Sequence, residues 1–380
     1  MSRPYNAPTP LRVGVILNSV DALTLDRAGG FVHIAEIAKR WPNVTLSVMG
    51  PANAEHLIRK SMRVDAFISV PAFGGGISAG SMLMRALAAI IAVPRMRHEC
   101  DVVMAMSHSV PDVLPAVVFG RRKAAVLLWH FIGNPFTREG SPLRNSLAFA
   151  NELVGRALAS LCRGRILGSP AVARELKLVN RPYTWVTTNG VEECLPARSS
   201  NPSGSIFVGR LHPAKGLDDL IRAWALVHER LPSERLTIVG RGMPAYRAHL
   251  DQTIEQLHLR DVVEIRDNVE NDEKLRLLAR SQLFVFPSKE EGWGIAIAEA
   301  MAFGLPCVTY ELPPFADIFP RGRLHVAIGD VGAFAGAVVR ALSDSSLRDS
   351  LGAEAFEQAK AFRWSIAAEV ELRALHEIAR

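Results

Sequence analysis

Two carboxylates in the C-terminal half of the chain stand in a stretch that is otherwise glycine-rich or apolar. Glu291 precedes the turn Gly-Trp-Gly, and Glu299 lies within the run IAIAEAMAF. An unpaired carboxylate among apolar side chains is costly, so Glu299 needs hydrogen-bond donors around it. Backbone N–H groups, a basic side chain, or the vicinal hydroxyls of a sugar or ribose would serve. A salt bridge inside the domain is the non-functional alternative.

The run around Glu299 predicts a helix whose first turn could bind an anion. Its alanine content favours a helix, and Gly304 with Pro306 just beyond predicts where that helix stops. The unpaired N–H groups at such a helix start attract negative charge. Gly294 just before it would let a ligand approach the backbone without a Cβ in the way.

Two cations form a second constellation, in the segment FVGRLHPAKGLDD. Arg210 and Lys215 flank a short proline-containing loop between a predicted strand and a predicted helix. Cations at a helix N-terminus and at the carboxyl end of a strand suit a diphosphate. The loop is not a P-loop, because the sequence contains no G-x-x-x-x-G-K-[ST] pattern. Alone these would be surface cations near a turn; together with the glutamates they predict a nucleotide-diphosphate site.

The elements that must position these residues alternate between short apolar runs and amphipathic segments of helix length. The pattern occurs twice, with LRVGVIL, VTLSVMG, CDVVMAM and KAAVLLWH in one half and SIFVG, LTIVG, LFVFPS and PCVTY in the other. Such alternation predicts parallel sheets covered by helices on both faces. The expected fold class is α/β, with two doubly wound Rossmann-like domains whose strand ends face a central cleft.

A segment rich in proline, serine and glycine, 193–205, separates the two repeats of the pattern and predicts the interdomain linker. We expect an N-terminal domain over 1–195 and a C-terminal domain over 196–362. Because no strand follows it, the last helical segment, 363–380, is expected to pack back across the domain junction.

Composition describes a globular chain, with 49% hydrophobic and 22% charged residues. The four cysteines form no C-x-x-C pair, which argues against a zinc site or a disulfide framework. The net charge of +6 is uneven: residues 1–195 hold 22 Lys and Arg against 13 Asp and Glu, or +9, which leaves −3 for the remainder. This asymmetry predicts that the N-terminal half faces an anionic partner, with random scatter as the alternative. Nucleic acid is disfavoured, because no basic stripe is interleaved with aromatic residues.

Neither the N-terminus MSRPYNAPTP nor the longest hydrophobic segment predicts a leader or a membrane span. That segment, SMLMRALAAIIAVP, contains Arg85 and is shorter than the ~20 residues that a spanning helix needs. The expected location is cytoplasmic, or peripheral on the inner face of the plasma membrane.

The motifs GRLHPAKG, TTNGVE, LTIVGRG and PSKEEGWGIAIAEAMAFGLPCV follow one another as in family 4 of the retaining glycosyltransferases, which the chain resembles over essentially its whole length. The resemblance implies the two-Rossmann GT-B fold, with the N-terminal domain, 1–195, on the acceptor side and the C-terminal domain, 196–362, binding the nucleotide-sugar donor. It also implies that Glu291 holds hydroxyls of the donor sugar and that Glu299 holds those of the ribose. Arg210 and Lys215 look like the pair that neutralises the donor diphosphate.

Looser matches imply further contacts with the donor. They are Gly30 of the pair Gly29-Gly30 on the phosphates, His130 of VLLWHFIGNPF beside the reacting sugar, Val269 of RDNVE at the nucleobase, and the backbone of Trp293, Gly294 and Ile295 at the sugar and distal phosphate. Taken alone, a strand-end histidine is often just a packed residue. One departure from the family is the loop TYELPPFADIF, where many members carry Gly-Gly-x-x-Glu.

The resemblance implies a retaining, metal-independent hexosyltransferase without a cofactor, in which His130, Arg210, Lys215 and Glu291 are the catalytic residues. A hexose would pass from a GDP- or UDP-linked donor to a hydroxyl of a glycan or a polyprenyl-diphosphate-linked acceptor, in polysaccharide or glycolipid synthesis. The sequence accordingly contains no D-x-D motif.

A basic N-terminal domain would then suit an anionic membrane surface. The cations expected to face lipid are Arg59, Lys60, Arg63, Arg85, Arg95 and Arg97. The apolar side chains expected to insert into the membrane interface are Met82, Leu83 and Leu87. The alternative is that 81–93 is simply a helix buried between strands.

Three other functions compete with a glycosyltransferase. TIVGRGMPA matches the G-x-G-x-x-A pattern of an NAD-dependent oxidoreductase, with Asp267 at the end of the next strand. A nucleotide-sugar epimerase on a similar scaffold and an inactive partner subunit are the others. The oxidoreductase would leave Arg210, Lys215, Glu291 and Glu299 without a role.

Overall fold

A computed structural model describes residues 10–19, 29–73, 79–128, 142–192 and 194–380. The chain divides into two compact units. Unit 1 comprises Met1–Thr188 together with Trp364–Arg380, and unit 2 comprises Asn189–Arg363. The predicted linker segment 193–205 therefore belongs to unit 2, and the C-terminal helix belongs to unit 1.

Unit 1 is built on a parallel sheet of seven strands. Its elements are β1 (Leu11–Ile16), α1 (Gly29–Ala38), β2 (Val44–Pro51), α2 (Glu55–Ser61), β3 (Ala66–Val70), α3 (Ala79–Glu99), β4 (Val102–Ala105), α4 (Val110–Gly120), β5 (Ala124–Leu128), α5 (Pro142–Ala159), β6 (Gly164–Leu167), α6 (Pro170–Glu175) and β7 (Thr184–Val186). The strand order is β3-β2-β1-β4-β5-β6-β7. The central strands are buried on both faces, as their near-continuous apolar sequences require.

The last helix of the chain, α14 (Trp364–Ala379), packs on this sheet and against α1. Its Glu371 is fully buried, accepts a hydrogen bond from Thr187 at 2.7 Å and pairs with His33 at 2.6 Å. The indole N–H of Trp41 donates to the carbonyl of Ala368 at 3.1 Å. Helix α4 is packed between α3 and α5.

Unit 2 is built on a parallel sheet of six strands. Its elements are β8 (Ser205–Val208), α7 (Leu217–Arg230), β9 (Leu236–Val239), α8 (Pro244–Gln256), β10 (Val263–Arg266), α9 (Asn271–Arg280), β11 (Leu283–Phe286), α10 (Ile295–Ala302), β12 (Cys307–Tyr310), α11 (Phe315–Ile318), β13 (Arg323–Val326), α12 (Val331–Ser343) and α13 (Ser345–Ala359). The strand order is β10-β9-β8-β11-β12-β13. Aromatic side chains fill its centre, where Phe207 of β8 stacks on Phe286 of β11 with ring centroids 5.5 Å apart.

The two parallel sheets confirm the prediction of two doubly wound, Rossmann-like units. In each sheet the chain first builds strands to one side of its first strand and then crosses to the other side. This change of side, the topological switch point, lies between β1 and β4 in unit 1 and between β8 and β11 in unit 2. Open α/β sheets bind ligands outside the carboxyl ends of the strands at such a switch. Across the described residues, no helix is long and apolar enough to cross a membrane.

Candidate active site

The switch point of unit 2 brings together the two loops that carry the predicted site. Loop 209–216 leaves β8, and loop 287–294 leaves the neighbouring strand β11 at the same edge of the sheet. Residues far apart in sequence thus become neighbours because parallel strands present their carboxyl ends along one edge.

Gly216 allows these two loops to touch. Its φ of +69° lies in the left-handed region, and a Cβ at this position would stand 1.9 Å from the carbonyl oxygen of Pro287. The backbone N–H of Lys289 donates to the carbonyl of Ala214 at 2.9 Å, and the ring of His212 accepts from the N–H of Ala214 at 3.1 Å. The loop after β8 is therefore clamped to the loop after β11.

Lys215 and Glu291 contact each other where loops 209–216 and 287–294 meet, a contact region called the clamp below. The ammonium of Lys215 donates to Oε1 of Glu291 and also to the carbonyl of Glu290, at 3.3 Å for the latter. Both side chains are largely buried, with 11% of Lys215 and 15% of Glu291 exposed. The structure thus joins a predicted diphosphate cation directly to a predicted sugar-binding acid. Oε2 of Glu291 has no hydrogen-bond partner within the described parts of the chain.

Arg210, the other predicted diphosphate cation, follows the end of β8 by two residues and is exposed. It forms no ion pair or hydrogen bond with any residue that the structure describes. Its charge is therefore available to an anionic ligand at this edge of the sheet.

The start of α10 completes this edge. Gly294 precedes the helix with φ +99°, and a Cβ there would lie 3.1 Å from the ring of Phe319. Trp293 is 4% exposed and makes edge-to-face contacts with Phe319 and Phe362, at centroid distances of 5.4 and 5.1 Å. The indole is therefore packed inside the unit, so its side chain is not available to a ligand; the predicted contact of the backbone at 293–295 with the donor stays a prediction. No described side chain caps the helix at Ile295.

Glu299 lies in the second turn of α10, where the sequence places it, and it has a basic partner. The ammonium of Lys274, on α9, is 2.7 Å from Oε1 of Glu299. The side chains are 18% and 16% exposed. Lys274 and Glu299 thus form a salt bridge inside the domain, which is the non-functional alternative given for Glu299 from the sequence. Val269 is half-buried in the loop that leads into α9.

Sequence reasoning missed Lys274 and a second ion pair beside the clamp. Lys289 lies 2.9 Å from Asp219, which also accepts a hydrogen bond from the hydroxyl of Tyr310 at 3.0 Å. Burial raises the pKa of the Tyr310 phenol, and the neighbouring carboxylate raises it further. No local sequence pattern predicts the Lys274–Glu299 and Lys289–Asp219 pairs, because each joins residues that are distant in the chain.

The glycine pattern after β9 has a packing explanation. A Cβ on Gly240 would stand 1.8 Å from the carbonyl oxygen of Gly209, and one on Gly242 would stand 2.2 Å from that of Leu211. Asp267 forms an ion pair with Arg247. These glycines are needed where one loop of the sheet edge passes against the next, so they do not by themselves indicate a dinucleotide.

The N-terminal site residues belong to unit 1. Gly30 lies at the start of α1, where a Cβ would be 3.7 Å from the carbonyl oxygen of Met106. His130 falls outside the described residues, so its place beside a sugar stays a prediction.

Comparison with known proteins adds to this geometry. Residues 197–358 match the family model of glycosyl transferases group 1. The O-antigen chain mannosyltransferase B of Escherichia coli is 29% identical over 180 residues, which cover 45% of this chain and 46% of that protein. The GDP-mannose:cellobiosyl-diphosphopolyprenol alpha-mannosyltransferase of Xanthomonas campestris is 31% identical over 171 residues, 42% of this chain and 45% of that protein. The chain thus matches less than half the length of each of these relatives.

The fold comparison covers nearly the whole chain. The structure of sucrose-phosphate synthase from Thermosynechococcus elongatus superposes with a TM-score of 0.78 over 97% of this chain and 99% of that one, at 16% sequence identity. This likeness confirms the predicted GT-B class of fold. The family match and the named relatives support a glycosyltransferase, whereas assignment to family 4 stays a prediction.

Proposed function

We propose that this protein is a retaining, metal-independent hexosyltransferase that uses a GDP- or UDP-linked sugar. One observation carries the proposal: at the switch point of unit 2, Lys215 contacts Glu291 beside Arg210, which has no described partner, and beside the start of α10. Cations, an acid and backbone N–H groups of a helix start stand together where such sheets bind ligands.

The diphosphate would be held by the cations and the helix start. An ammonium has three N–H donors, and the bonds from Lys215 to Glu291 and to the Glu290 carbonyl use two of them. The third remains for a phosphate oxygen. Arg210 offers a planar guanidinium suited to two phosphate oxygens at once.

The sugar and the ribose would be held by carboxylates. Oε2 of Glu291 can accept hydrogen bonds from sugar hydroxyls while Oε1 stays with Lys215. Glu299 can likewise share its oxygens between Lys274 and the ribose. Val269 and its loop are proposed to lie at the nucleobase.

The proposed mechanism depends on stabilising the negative charge that develops on the leaving diphosphate. As the bond between the anomeric carbon and the leaving phosphate breaks, charge develops on the diphosphate, and fixed cations and N–H groups stabilise it without reorganising. We propose that the acceptor hydroxyl attacks the anomeric carbon from the face that the diphosphate leaves. The leaving phosphate oxygen accepts the proton of that hydroxyl. No metal takes part in this scheme, because Arg210 and Lys215 supply the positive charge.

The acceptor is proposed to be a glycan or a polyprenyl-diphosphate-linked sugar, handled by a cytoplasmic protein at an anionic membrane surface. Helix α3 supports this part of the proposal. Leu83, Leu87 and Ile91 are 57%, 47% and 81% exposed and recur along one side of the helix, and Met84 is exposed beside them. An exposed apolar stripe of this kind marks an interaction surface. The alternative that this helix is wholly buried is wrong for that face.

The predicted basic face needs one correction. Arg85 is only 2% exposed, so it does not face lipid; its position puts it on the inner side of α3 with Ala86 and Ala89. Of the other cations, Arg59, Arg63 and Arg95 pair with Glu55, Asp65 and Glu99 at 2.8, 2.9 and 3.5 Å.

Further positive charge is exposed where α3 and α4 end. Arg97, near the end of α3, donates to the carbonyls of Val118 and Phe119 at the end of α4. The turn that follows α4, 121–123, has the sequence Arg-Arg-Lys and is exposed at all three positions. The exposed apolar stripe on α3 and the exposed Arg-Arg-Lys turn after α4 are the apolar and basic groups that binding to anionic lipid requires.

A nucleotide panel followed by product analysis tests the proposed function. We expect GDP, UDP or one of their sugars to raise the melting temperature, because a ligand bound only by the folded state stabilises it. The two relatives named for mannosyl transfer make GDP-mannose the first donor to test. The anomeric configuration of the product, read by NMR, must match that of the donor. A panel in which no nucleotide or nucleotide sugar binds would remove the proposal.

A further inference from the structure

A cavity of about 880 Å³ lies in unit 2 at the opposite ends of the strands from the candidate active site. Gln282 and Pro306 in its wall directly precede β11 and β12, which places the cavity at the amino ends of the sheet. The other walls are the segment 195–202, the end of α10 and one face of α13. Its volume falls within the roughly 300–1,000 Å³ of small-molecule sites, and nothing proposed for the donor uses it.

Gly304 shows how closely the walls of the cavity approach one another. It follows α10 with φ +65°, and a Cβ on it would lie 3.0 Å from Nη1 of Arg198, 3.4 Å from the carbonyl oxygen of Gly352 and 3.6 Å from Cβ of Phe356. Arg348, Gly352 and Phe356 follow one another at intervals of four residues, on one face of α13. Two guanidinium groups and an aromatic ring thus line a single small space.

Both arginines use only part of their capacity to donate hydrogen bonds. Nη1 of Arg198 donates to two carbonyls at the end of α10, at 2.8 and 2.7 Å, and Nη1 of Arg348 donates to two at the end of α12, at 3.3 and 2.8 Å. Capping of the helix ends therefore explains one nitrogen of each guanidinium. Nε and Nη2 of both form no hydrogen bond or ion pair with any residue that the structure describes. These two nitrogens form an edge with parallel N–H groups, which suits bidentate binding of an oxyanion.

The free edges are accessible, and their charge is not neutralised by an ion pair. Arg198 is exposed and Arg348 is half-buried, so a ligand can reach both. Asp349 also lines the cavity and attracts Arg198, but it forms no ion pair with either arginine. Among the described residues of the wall these three carry charge, two positive against one negative, which leaves +1. The cavity therefore favours an anion.

The wall around Phe356 is apolar. The ring is 48% exposed, and Leu195 and Pro196 are half-buried in the same wall. A single exposed phenylalanine needs no explanation by itself. This one stands inside a cavity, beside a guanidinium with a free edge, where it offers a surface on which a flat apolar group can pack. The ligand that fits both features joins its anionic group to a ring.

We propose that this cavity is a second ligand site of unit 2, for a small organic anion in which a phosphate or a carboxylate is joined to a flat apolar ring. The guanidiniums of Arg198 and Arg348 hold the oxyanion, and Phe356 holds the ring. Because the donor site lies at the carboxyl ends of the strands and this cavity at their amino ends, its occupant takes no part in the transfer of a sugar. The inference therefore does not depend on the proposed function.

Saturation-transfer NMR with four probes tests the class of ligand. Phenyl phosphate and benzoate join an anion to a ring, methyl phosphate lacks the ring, and benzyl alcohol lacks the charge. We expect one of the two ring-bearing anions to bind at least tenfold more tightly than both methyl phosphate and benzyl alcohol, and the tighter of the two identifies the anionic group. Affinities for the ring-bearing anions no higher than those for the two incomplete probes would contradict the proposal.

Substitutions in the wall locate the binding. Arg198→Ala and Arg348→Ala should each weaken it at least tenfold, the effect of losing charge-assisted hydrogen bonds. Phe356→Ala should weaken binding of the ring-bearing anion and leave that of methyl phosphate unchanged. Arg222→Ala is the control, because it removes an exposed arginine of α7 that does not line the cavity, and it should leave all binding unchanged.

Ala353 permits a test that leaves both helix caps in place. It is exposed on α13 and lines the cavity, and glutamate and lysine are both good helix formers. Ala353→Glu places a negative charge in the cavity and should abolish binding. Ala353→Lys, with a side chain of similar length and the opposite charge, should bind the anion at least tenfold more tightly than Ala353→Glu does. Circular dichroism and the melting temperature show whether each variant is folded.

The inference is overturned if the wild type binds neither ring-bearing anion, or if Ala353→Glu and Ala353→Lys bind alike. Binding that survives Arg198→Ala but is lost in Arg210→Ala belongs to the donor site and also overturns it. The nucleotide panel gives a separate answer, because the rise in melting temperature with a nucleotide depends on the donor site. Failure of the second ligand site is thus distinguishable from failure of the proposed function.

Discussion

The ammonium of Lys274 lies 2.7 Å from Oε1 of Glu299, so a lysine on α9 holds an acid on α10 at the edge of the candidate site. This pair explains how a carboxylate is tolerated among alanines and isoleucine. It also raises the question of whether Glu299 has any task beyond the pair.

Matched substitutions separate the two roles. If the pair is only structural, Lys274→Ala and Glu299→Ala should each lower the free energy of unfolding by about 1–2 kcal/mol, with a coupling between them, and should affect nucleotide binding equally. We expect instead that Glu299→Ala lowers nucleotide affinity at least tenfold more than Lys274→Ala does, because only the glutamate accepts the ribose hydroxyls. Urea unfolding and calorimetric titration with GDP and UDP measure the two effects.

Arg210 and Lys215 should differ in what their loss does to the protein. Arg210→Ala removes an exposed side chain without a described partner, so stability should stay within about 0.5 kcal/mol of wild type while turnover falls at least 100-fold. Lys215→Ala leaves Glu291 without its cation and should lower both stability and turnover. Arg235→Ala is the control. It removes a cation at the amino ends of the strands of the same sheet, away from the candidate site, and should leave turnover intact. Unchanged turnover in both Arg210→Ala and Lys215→Ala would show that these cations do not serve the diphosphate.

Gly216 is expected to be indispensable for the clamp. Alanine there would meet the Pro287 carbonyl at 1.9 Å and would also strain a φ of +69°, so the two loops must separate. We expect Gly216→Ala to destabilise the protein by at least about 2 kcal/mol and to abolish nucleotide binding. Gly336→Ala is the matched control, because Gly336 lies in α12 with open space around its Cβ position and should be neutral or stabilising. Thermal unfolding with and without nucleotide distinguishes the two variants.

The fold was predictable because it depends on local patterns. Alternating apolar runs predicted both parallel sheets, and the alanine-rich run ended by Gly304 predicted α10, which spans Ile295–Ala302. The assembly of Lys215 and Glu291 at one edge followed from the rule that parallel strands end together.

Side-chain pairing between distant elements was not predictable in the same way. Nothing in the sequence around Lys274 indicates that it reaches Glu299, since the register between α9 and α10 depends on how both pack on the sheet. Arg85 was misassigned to the surface for a related reason. Its charge suggested exposure, but its position on α3 is shared with the inner residues Ala86 and Ala89. The hydrogen bonds of Asp112 to Asn18 and Ser19 were missed because these residues lie 94 and 93 positions apart from it in the chain and form no motif with it.

The apolar stripe on α3 should bind anionic membranes. We expect the wild-type protein to float with vesicles of phosphatidylcholine containing phosphatidylglycerol at low salt, and not with pure phosphatidylcholine. Ile91→Glu places a charge at the most exposed position of the stripe and should abolish flotation. Val179→Glu changes an exposed valine elsewhere in unit 1 and should have no effect. Self-association that disappears in Ile91→Glu, without any vesicle binding, would instead identify the stripe as a contact between two copies of the chain.

Asp112 should make the stability of unit 1 depend on pH in a direction opposite to that of an ordinary paired carboxylate. Burial raises its pKa from 3.8 to about 6, although the hydroxyls of Ser107 and Ser19 and two backbone N–H groups oppose the shift. Because the folded-state pKa exceeds the unfolded one, its contribution to stability is complete below about pH 4 and is lost as pH rises through about 6.

The titratable or charged residues nearest to Asp112 in the chain and on the neighbouring helix α5 are His108, Glu152 and Arg156, and they are unchanged in an Asp112→Asn variant. The difference between wild type and Asp112→Asn therefore isolates Asp112. Relative to the variant, the wild type should lose about 1 kcal/mol of unfolding free energy between about pH 5 and about pH 7.

Asp101→Asn provides the contrast, because hydrogen bonding and attraction from Arg12 hold the pKa of Asp101 below its usual value. Its stabilisation is lost only as pH falls through that lowered pKa, so its difference from wild type should be constant over the same range. Urea unfolding at both pH values measures these differences, and a difference between wild type and Asp112→Asn that stays constant between the two pH values would show that Asp112 is ionised in the folded protein throughout.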